Sequence, residues 1–449
     1  MVTQLLSEYI ARTQYKDLPG EVIDKCRLHI IDTFAAIISG TTLPAGQSST
    51  NWIKTLKKDD ETIVIGTHLQ ASALNASLVN GMLAHADETD DSHAPSLTHP
   101  GCAIIPAAFS LGDSRGVSGQ DFIKAVTVGY DIGPRISKAL GGERFFDQHH
   151  SSHSVGGLFG ALAASASLLG FNALKSSFML GYGVQMASGN ACWRRDPDHV
   201  EKAFDFGGMP AHNAVLAASM VSSGFTSSRE SLEGVPGLFA AYPLSSRIEL
   251  ATEELGSRHE IMHTAIKKWC VGSPIQSALD SLSNLMVEHE LNFHLIDQIV
   301  VDLPAQSAPV VDRRDMPAVN LQFQLSLLLI DGKITFHSGH DYERMNDPVV
   351  VELMRNISIK PRHEQAFIDN SRQAIVTVLM KDQKKFSSHT LHVRGTPKNP
   401  MSKIEIHEKA FGLIAPVLGD LKSHHLIDRI DHLENIENIQ ELRSLLIPH

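Results

Sequence analysis

The sequence predicts a mainly helical protein with an α+β domain inserted between two helical segments. Apolar residues recur at helical spacing through most of the first 260 residues, become β-branched and strand-like beyond about residue 265, and return to helical spacing after residue 402. Because the helix-rich tail follows the α+β segment, we expect both chain ends to form one domain. The expected boundaries are residues 1–264 with 397–449 for the large helical domain, and 265–396 for the smaller α+β domain.

Length and composition are those of an ordinary globular protein. The 449 residues allow roughly two to four domains of about 100–200 residues each. The net charge of -11, with no run rich in Lys or Arg, argues against nucleic-acid binding. The four cysteines form no paired framework, so we expect reduced thiols and a cytoplasmic protein.

Helical elements follow one another along the first 260 residues. The N-terminus predicts an amphipathic helix rather than a signal peptide, because Glu8 comes early and no basic segment precedes the apolar residues. Further helices are predicted over residues 22–38, 71–86, 102–111, 119–130 and 211–222, the last with Pro210 at its first position. Residues 154–172 are uncharged but consist largely of Gly, Ala and Ser. Since they lack basic flanks and aromatic belts, we expect a buried helix and no membrane span.

The α+β segment contains both strands and helices. Residues 295–303 predict a strand that ends at Pro304, and residues 374–380 and 386–393 predict a hairpin around a polar turn. Helices are expected over residues 323–330 and 349–356. Ser402 and Glu405 form a capping-box pattern that opens the final helical region.

Histidine is the residue type that directs the search for a site, because it titrates near neutral pH and binds metals. Six of the 24 histidines lie in two short stretches: His85, His93, His99, His149, His150 and His153. The first stretch, residues 85–100, also holds four acidic residues between two apolar helices. Carboxylates with imidazoles suit Mn, Fe, Zn or Mg, and equally suit metal-free proton transfer. In a purely structural alternative, Asp90 and Ser92 cap a helix and His85 packs in the core.

Three later stretches are further candidates. The second, from Asp147, passes directly into a glycine-led helix, whose free N–H groups are suited to binding an anion; the phosphate-loop pattern is absent. The third contains Lys202 five residues before a Gly-Gly turn, where the lysine either enters the same cleft or is a solvated charge. The fourth, residues 267–280, lies where the pattern changes, and clefts form at domain boundaries.

Taken in order, these stretches resemble the MmgE/PrpD family, which includes 2-methylcitrate dehydratases, cis-aconitate decarboxylases and an iminodisuccinate epimerase. The resemblance covers nearly the whole chain, from the run Asn80-Gly-Met-Leu-Ala-His-Ala-Asp to the run Gly395-Thr-Pro-Lys-Asn-Pro-Met. It implies a large helical domain built from both chain ends, a smaller α+β lid and a homodimer. It also implies chemistry without a metal or an organic cofactor.

The resemblance also implies site residues. The family's Asp-x-Asp-Asp-Thr motif falls on residues 88–92, where Glu88 replaces the first Asp and Ser92 replaces the Thr; each change keeps the functional group. The positions carried over as catalytic are Glu88, Asp90, Asp91, His99, His150 or His153, and Lys202. Ser92, Lys268 and Gln276 are expected to bind the substrate, and Gln276 stands where the family has a lid histidine. Glutamine binds a carboxylate or hydroxyl but carries no proton, so this chain departs from the family there.

The function expected from this resemblance is a dehydratase acting on a small di- or tricarboxylic acid. Lys202 would bind a carboxylate, His99 with His150 or His153 would act as acid and base, and the acidic residues would orient them or accept protons. An epimerase or a decarboxylase of the same family is the alternative. A metal-dependent hydrolase using His85, Asp90, Asp91 and His93 is a rival from another class, and an idle binding protein is a third hypothesis.

Overall fold

The computed structural model describes residues 1–57, 59–243, 246–362 and 372–448. The chain forms two compact units, one of Met1–Ala265 with Ile406–His449 and one of Ile266–Glu405. The first unit is built almost entirely of helices, and the second combines helices with a four-stranded sheet. The predicted helical majority is therefore confirmed.

The first unit contains a succession of helices joined by short connections. Its longer helices are Val2–Arg12, Gly20–Gly40, Pro44–Lys54, Ala73–Ala84, Gly101–Arg115, Gly119–Ala139, Ser152–Leu168, Ala173–Met186, Met209–Ser222 and Asp420–Asp431. Shorter helices are Glu143–Asp147, Val200–Ala203 and Leu238–Ala241, and the two-residue strands Thr62–Ile63 and Gln70–Ala71 pair antiparallel. Each predicted helix corresponds to one of these helices, so the apolar periodicity identified the elements themselves.

The observed boundaries of three helices differ from the predicted ones. The helix expected over residues 71–86 is Ala73–Ala84, because the Ser72 side chain accepts a hydrogen bond from the backbone N–H of Asn75 and caps it. The helix expected over residues 119–130 continues to Ala139 through an internal proline, Pro134. The helix Gly101–Arg115 ends at Gly116, whose φ of +67° is the left-handed conformation that glycine adopts readily.

Small residues let the helix Ser152–Leu168 lie at the centre of the first unit. All its residues except His153 are buried, which confirms the prediction of a buried helix. A Cβ added at Gly133, in the helix Gly119–Ala139, would lie 2.3 Å from the carbonyl oxygen of Gly156. The two helix backbones therefore approach more closely than any larger residue would allow.

Within the described ranges no single helix is both long enough and apolar enough to cross a membrane. The helices Gly20–Gly40 and Pro44–Lys54, bent by 77° at the break between them, would meet both requirements as a pair, by length and composition alone.

A π-helical segment, Phe204–Gly208, joins the helix Val200–Ala203 to the helix Met209–Ser222. It packs against the helix Ala73–Ala84 at a glycine contact, since a Cβ on Gly81 would lie 2.4 Å from the carbonyl oxygen of Gly207. This contact brings the residues around position 202 next to the loop that begins at residue 85.

The second unit is built on a mixed four-stranded sheet. In spatial order its strands are Ile357–Arg362, Ile296–Pro304, Ala374–Met380 and Lys385–Thr390; the first two are parallel and the other neighbours are antiparallel. The helices Gln276–His289, Leu321–Asp331 and Pro348–Arg355 share an apolar core with this sheet. The predicted strand, hairpin and two helices are confirmed, although the second hairpin strand ends at Thr390 rather than at residue 393.

The predicted capping box is also confirmed. The Ser402 backbone N–H donates to the Glu405 carboxylate at 2.8 Å, and the Ser402 hydroxyl accepts from the Glu405 backbone N–H at 3.3 Å. The helix that follows is Lys403–Leu418. Its residues from Ile406 onward belong to the first unit, which is thus made from both ends of the chain.

Candidate active site

The loop that follows the helix Ala73–Ala84 is buried despite its charges. Residues 85–93 are each at most 8% exposed. Two backbone bridges hold the loop: Ser92 exchanges N–H···O hydrogen bonds with Ala265, and His93 does so with Thr98. Since buried charges are costly without partners, the partners of this loop define the site.

Asp90 links two of the predicted histidines. Its Oδ2 lies 2.9 Å from Nδ1 of His85, and its Oδ1 lies 3.1 Å from Nδ1 of His99. A carboxylate only accepts hydrogen bonds, so each Nδ1 carries the proton while Asp90 is ionised. In the neutral imidazoles each Nε2 then presents a lone pair.

Asp91 lies next to Asp90 but has a different environment. It accepts hydrogen bonds from Nδ1 of His29 at 2.8 Å, from the Tyr130 hydroxyl at 2.6 Å and from the backbone N–H of Gly101 at 3.0 Å. Burial acts to raise the pKa of Asp91, but the hydrogen bonds from His29 and Tyr130 outweigh it and hold that pKa below its ordinary value. Asp91 therefore anchors the loop to the helix Gly101–Arg115.

Lys202 forms an ion pair with Glu88, the first acidic residue of the family motif. Its ammonium also lies 5.3 Å from the ring centre of Trp193 and 5.2 Å from that of Phe206, both within cation–π range. The Lys202 and Glu88 side chains are 16% and 8% exposed, so water screens the pair only weakly. The lysine is thus part of the loop's surroundings rather than a solvated charge.

Phe206, from the π-helical segment, is the surface against which three histidines pack. Its ring centre lies 3.9 Å from that of His153, 4.4 Å from that of His85 and 5.6 Å from that of His99. The His153 and His85 rings stack on it at 12° and 21°. One apolar ring therefore fixes the planes of imidazoles that come from two distant parts of the sequence.

The structure separates the two candidate histidines at the entry of the helix Ser152–Leu168. His153 lies 5.2 Å from His99, ring centre to ring centre. It thus belongs to a cluster of imidazoles around Phe206 that also contains His85 and His99. His150 instead stacks on Phe145 at 4.7 Å and contacts Tyr242 at 5.0 Å. Of this pair, the geometry brings His153 and not His150 to the other candidate residues.

His153 is a neutral imidazole with one free nitrogen. Burial and the nearby His99 and Lys202 lower the pKa of His153 well below its ordinary value. Its Nδ1 has no hydrogen-bond partner among the residues that the structure describes. An uncharged imidazole with a free ring nitrogen can take part in proton transfer.

Beyond the predicted set, the cluster contains His199, whose ring centre lies 5.1 Å from that of His85. His199 is 5% exposed and has a φ of +66°, an uncommon conformation for a residue with a side chain. Burial and Lys202 lower the pKa of His199 well below its ordinary value, so it too is neutral. In the sequence, His199 stands three residues before Lys202, which was the one indication of a place in the site. A single histidine in a polar loop does not by itself predict a functional residue.

Asp205, a further buried carboxylate, lies at the start of the helix Ser152–Leu168. It accepts a hydrogen bond from Ser151, the residue that caps this helix. Burial raises the pKa of Asp205 to about 7. This carboxyl therefore changes its charge close to neutral pH.

Lys409, in the helix Lys403–Leu418, connects the helix Gly20–Gly40 to the loop that begins at residue 85. Its ammonium donates to Asp32 Oδ1 at 2.6 Å and to the carbonyl oxygen of Thr89 at 3.0 Å. Asp32 is fully buried, and burial raises its pKa to about 6. The link to the Thr89 carbonyl connects the end of the chain to the loop that carries Glu88 and Asp90.

The set expected for a metal-dependent hydrolase is not brought together. His93 lies 3.1 Å from Glu260 and 2.7 Å from Ser96, and Asp91 is held by its own three donors. Among the described residues two other sets place one ligand atom each within 4.8 Å of one another: His85, Asp90 and His99, and His85, Glu88 and His199.

Gln276 and Lys268, expected to bind the substrate, lie in the second unit. The Gln276 side chain accepts from the Trp269 backbone N–H and donates to the carbonyl oxygens of Trp269 and Val271, at 2.7–3.1 Å. Both N–H groups of the amide are therefore used to brace this turn, a role that the sequence did not indicate. The Lys268 ammonium lies 4.4 Å from the ring centre of Trp269.

Comparison with known proteins identifies related chains. Residues 4–251 match the model of the MmgE/PrpD N-terminal domain, and residues 269–435 match that of the MmgE/PrpD C-terminal domain. The cis-aconitate decarboxylase of Homo sapiens is 23% identical over 425 residues, which cover 91% of this chain and 86% of the relative.

Two fungal proteins match over shorter segments. A cis-aconitate decarboxylase-like protein of Aspergillus oryzae is 27% identical over 233 residues, 50% of this chain and 47% of the relative. The cis-aconitate decarboxylase of Aspergillus terreus is 25% identical over 248 residues, 53% of this chain and 49% of the relative. The match thus spans about half the length of each of these two relatives.

Proposed function

This chain belongs to the MmgE/PrpD family, and we propose that it is a cofactor-independent lyase acting on a small di- or tricarboxylic acid. In this proposal the enzyme removes a proton from the carbon α to a carboxylate and eliminates water. The name of a relative describes that relative alone, so the substrate class of this chain is inferred from its own site.

The observation that carries the proposal is a largely enclosed ammonium beside two imidazoles. Lys202 pairs with Glu88, and His153 and His99 lie 5.2 Å apart by ring centres. A substrate carboxylate would share the Lys202 ammonium, which attracts charge that develops on that carboxylate as the α-proton leaves. The weakly screened setting makes this attraction stronger than it would be in water.

The predicted residues that the structure brings together in the first unit would then divide the work. His153, with its free Nδ1, is the proposed base. His99, held through Nδ1 by Asp90, would act in its doubly protonated form and give its Nε2 proton to the leaving hydroxyl, so that water departs and a carbon–carbon double bond forms. Glu88 and Ser92 would orient the substrate, and Asp91 anchors the loop that carries them.

Decarboxylation is the second candidate, because the three relatives described above are cis-aconitate decarboxylases or a decarboxylase-like protein. There the carbon–carbon bond to a carboxylate breaks, CO2 leaves, and an imidazole protonates the carbon that remains. Lys202 would again neutralise a carboxylate that stays on the substrate.

Solvent-deuterium exchange tests this proposal. The purified protein is incubated in D2O with a panel of di- and tricarboxylates, and the acids are followed by mass spectrometry. Loss of water supports the dehydratase and loss of CO2 the decarboxylase, whereas deuterium uptake without mass loss indicates an epimerase.

Lys202→Met and His153→Gln should abolish whichever signal is found, and Lys175→Met, which removes a lysine beside Phe171, is the matched control. If no acid of the panel loses mass or takes up deuterium, the proposal is wrong.

A further inference from the structure

The cluster holds a set of residues that proton transfer alone does not require. His85, Glu88 and His199 each offer one ligand atom, and these three atoms lie within 4.8 Å of one another. We propose that these residues form a binding site for a divalent transition-metal ion, and that the ion competes with Lys202 for Glu88. The site lies inside the first unit and is assigned from its own geometry.

Two unpaired imidazole nitrogens point to a ligand. Nε2 of His85 and Nε2 of His199 are buried and have no hydrogen-bond partner among the described residues. Their side chains are 0% and 5% exposed. A buried polar atom without a partner is costly, and a bound metal ion would satisfy both nitrogens at once.

Asp90 prepares His85 for this role. Because Asp90 accepts the Nδ1 proton of His85 at 2.9 Å, the neutral ring presents the Nε2 lone pair. A carboxylate on the far nitrogen of a metal-binding histidine is a recurrent arrangement that fixes the tautomer and raises the basicity of the ligand. His85 in this chain has that arrangement before any metal binds.

His199 is fixed by its backbone. Its carbonyl oxygen accepts the Ala203 backbone N–H at 3.1 Å at the start of the helix Val200–Ala203, and its left-handed φ directs the chain into that helix.

The ligand types select the class of ion. Two imidazoles and one carboxylate suit Zn²⁺, Fe²⁺ or Co²⁺, whereas Mg²⁺ and Ca²⁺ prefer an all-oxygen set. Three protein ligands also leave coordination positions open for water.

Lys202 is the internal competitor for this site. Its ammonium pairs with Glu88, the only carboxylate of the set His85, Glu88 and His199. An ammonium and a divalent cation repel each other strongly at this depth, so metal binding requires Lys202 to leave Glu88. Removing the ammonium should therefore strengthen metal binding.

Cobalt titration tests the proposal without substrate. Untagged protein is freed of metal with a chelator and titrated with Co²⁺, and the visible d–d absorption of the bound ion is recorded. We expect one equivalent of Co²⁺ to bind to the parent protein. His199→Gln should abolish that absorption, and Asp90→Asn should weaken binding about 10–100-fold.

A second variant separates loss of the site from loss of the fold. Lys202→Met should tighten Co²⁺ binding roughly tenfold or more, since a repelling charge is gone; a damaged fold would weaken binding instead. His212→Gln is the matched control, because His212 pairs with Asn213 outside the set. Absence of Co²⁺ binding, binding that survives in His199→Gln, or no gain in Lys202→Met would overturn the proposal.

Different results would contradict the proposed function and the proposed metal site. The titration needs no turnover, so Co²⁺ binding by a protein that converts no carboxylic acid would support this site and contradict the proposed function. Turnover by a protein that binds no Co²⁺ would do the reverse.

Discussion

The Asp90 carboxylate determines which ring nitrogen carries the proton in two imidazoles. Its two oxygens each accept a hydrogen bond from an Nδ1, one from His85 and one from His99. An amide at this position would keep the shape but could accept from only one ring. Its NH2 group would force the other ring to carry its proton on Nε2.

We therefore expect Asp90→Asn to lower kcat by about 10²–10⁴-fold, with a much smaller change in KM. Steady-state kinetics on the acid identified by deuterium exchange measures both constants. Asp121→Asn, at the start of the helix Gly119–Ala139, is a matched control that should leave kcat unchanged. An Asp90→Asn enzyme with the parent kcat would show that neither tautomer matters to the reaction.

Asp205 makes stability depend on pH. An unfolded aspartate has a pKa of about 3.9, whereas burial raises the pKa of Asp205 in the folded chain to about 7. The folded state thus binds this proton more tightly than the unfolded state. Its stabilising contribution is fully present below about pH 4 and is lost as the pH rises through about 7.

Asp205→Asn should remove this dependence, because the amide accepts the Ser151 hydrogen bond without ionising. Thermal melts of parent and variant across this pH range measure it. The variant should gain in Tm relative to the parent as the pH rises, and the common contributions of other groups cancel in the difference. Parallel Tm curves would mean that Asp205 does not titrate in this range.

The sequence proposed most residues of the candidate site but not how they meet. Lys202 and the loop residues Glu88, Asp90 and His99 were expected, and the structure brings them together with His153. His199 was missed because its left-handed backbone conformation has no signature in a single sequence. Phe206 was missed for a similar reason, since a π-helical turn has no periodicity that distinguishes it from an α-helix.

At the scale of elements, close helix contacts depend on glycines. The helices Gly119–Ala139 and Ser152–Leu168 approach at Gly133, where an added Cβ would lie 2.3 Å from the carbonyl oxygen of Gly156. Backbone on that side cannot rotate away as a side chain would. The small-residue composition of residues 154–172 predicted a buried helix, but a pattern of small residues does not reveal which helix it packs against.

Gly133→Ala should therefore destabilise the protein by about 1–3 kcal/mol. Gly412→Ala is the matched control: Gly412 is exposed in the helix Lys403–Leu418, with nothing within 4 Å of its added Cβ. There the same substitution should stabilise by about 0.5–1 kcal/mol, because alanine loses less entropy on folding. Denaturant unfolding gives both values, and equal signs for the two variants would refute this account of the contact.

At the scale of the whole molecule, the chain end supports the loop that carries the site. The first unit contains residues from both ends of the sequence, and Lys409 in the later segment donates to Asp32 and to the Thr89 carbonyl. The return of helical periodicity after residue 402 predicted a helical tail. It could not predict this contact, because a pairing across 377 residues depends on how the helices pack.

Lys409→Met should destabilise the first unit by about 3–5 kcal/mol, because it leaves the Asp32 carboxylate buried without its charged partner. The double variant Asp32→Asn with Lys409→Met should recover part of this loss, since the uncompensated charge is gone. Denaturant unfolding of the parent, both single variants and the double variant completes the cycle. If the double variant were as unstable as the sum of the two single variants, the ion pair would contribute nothing, and Lys409 would act only through its hydrogen bond to the Thr89 carbonyl.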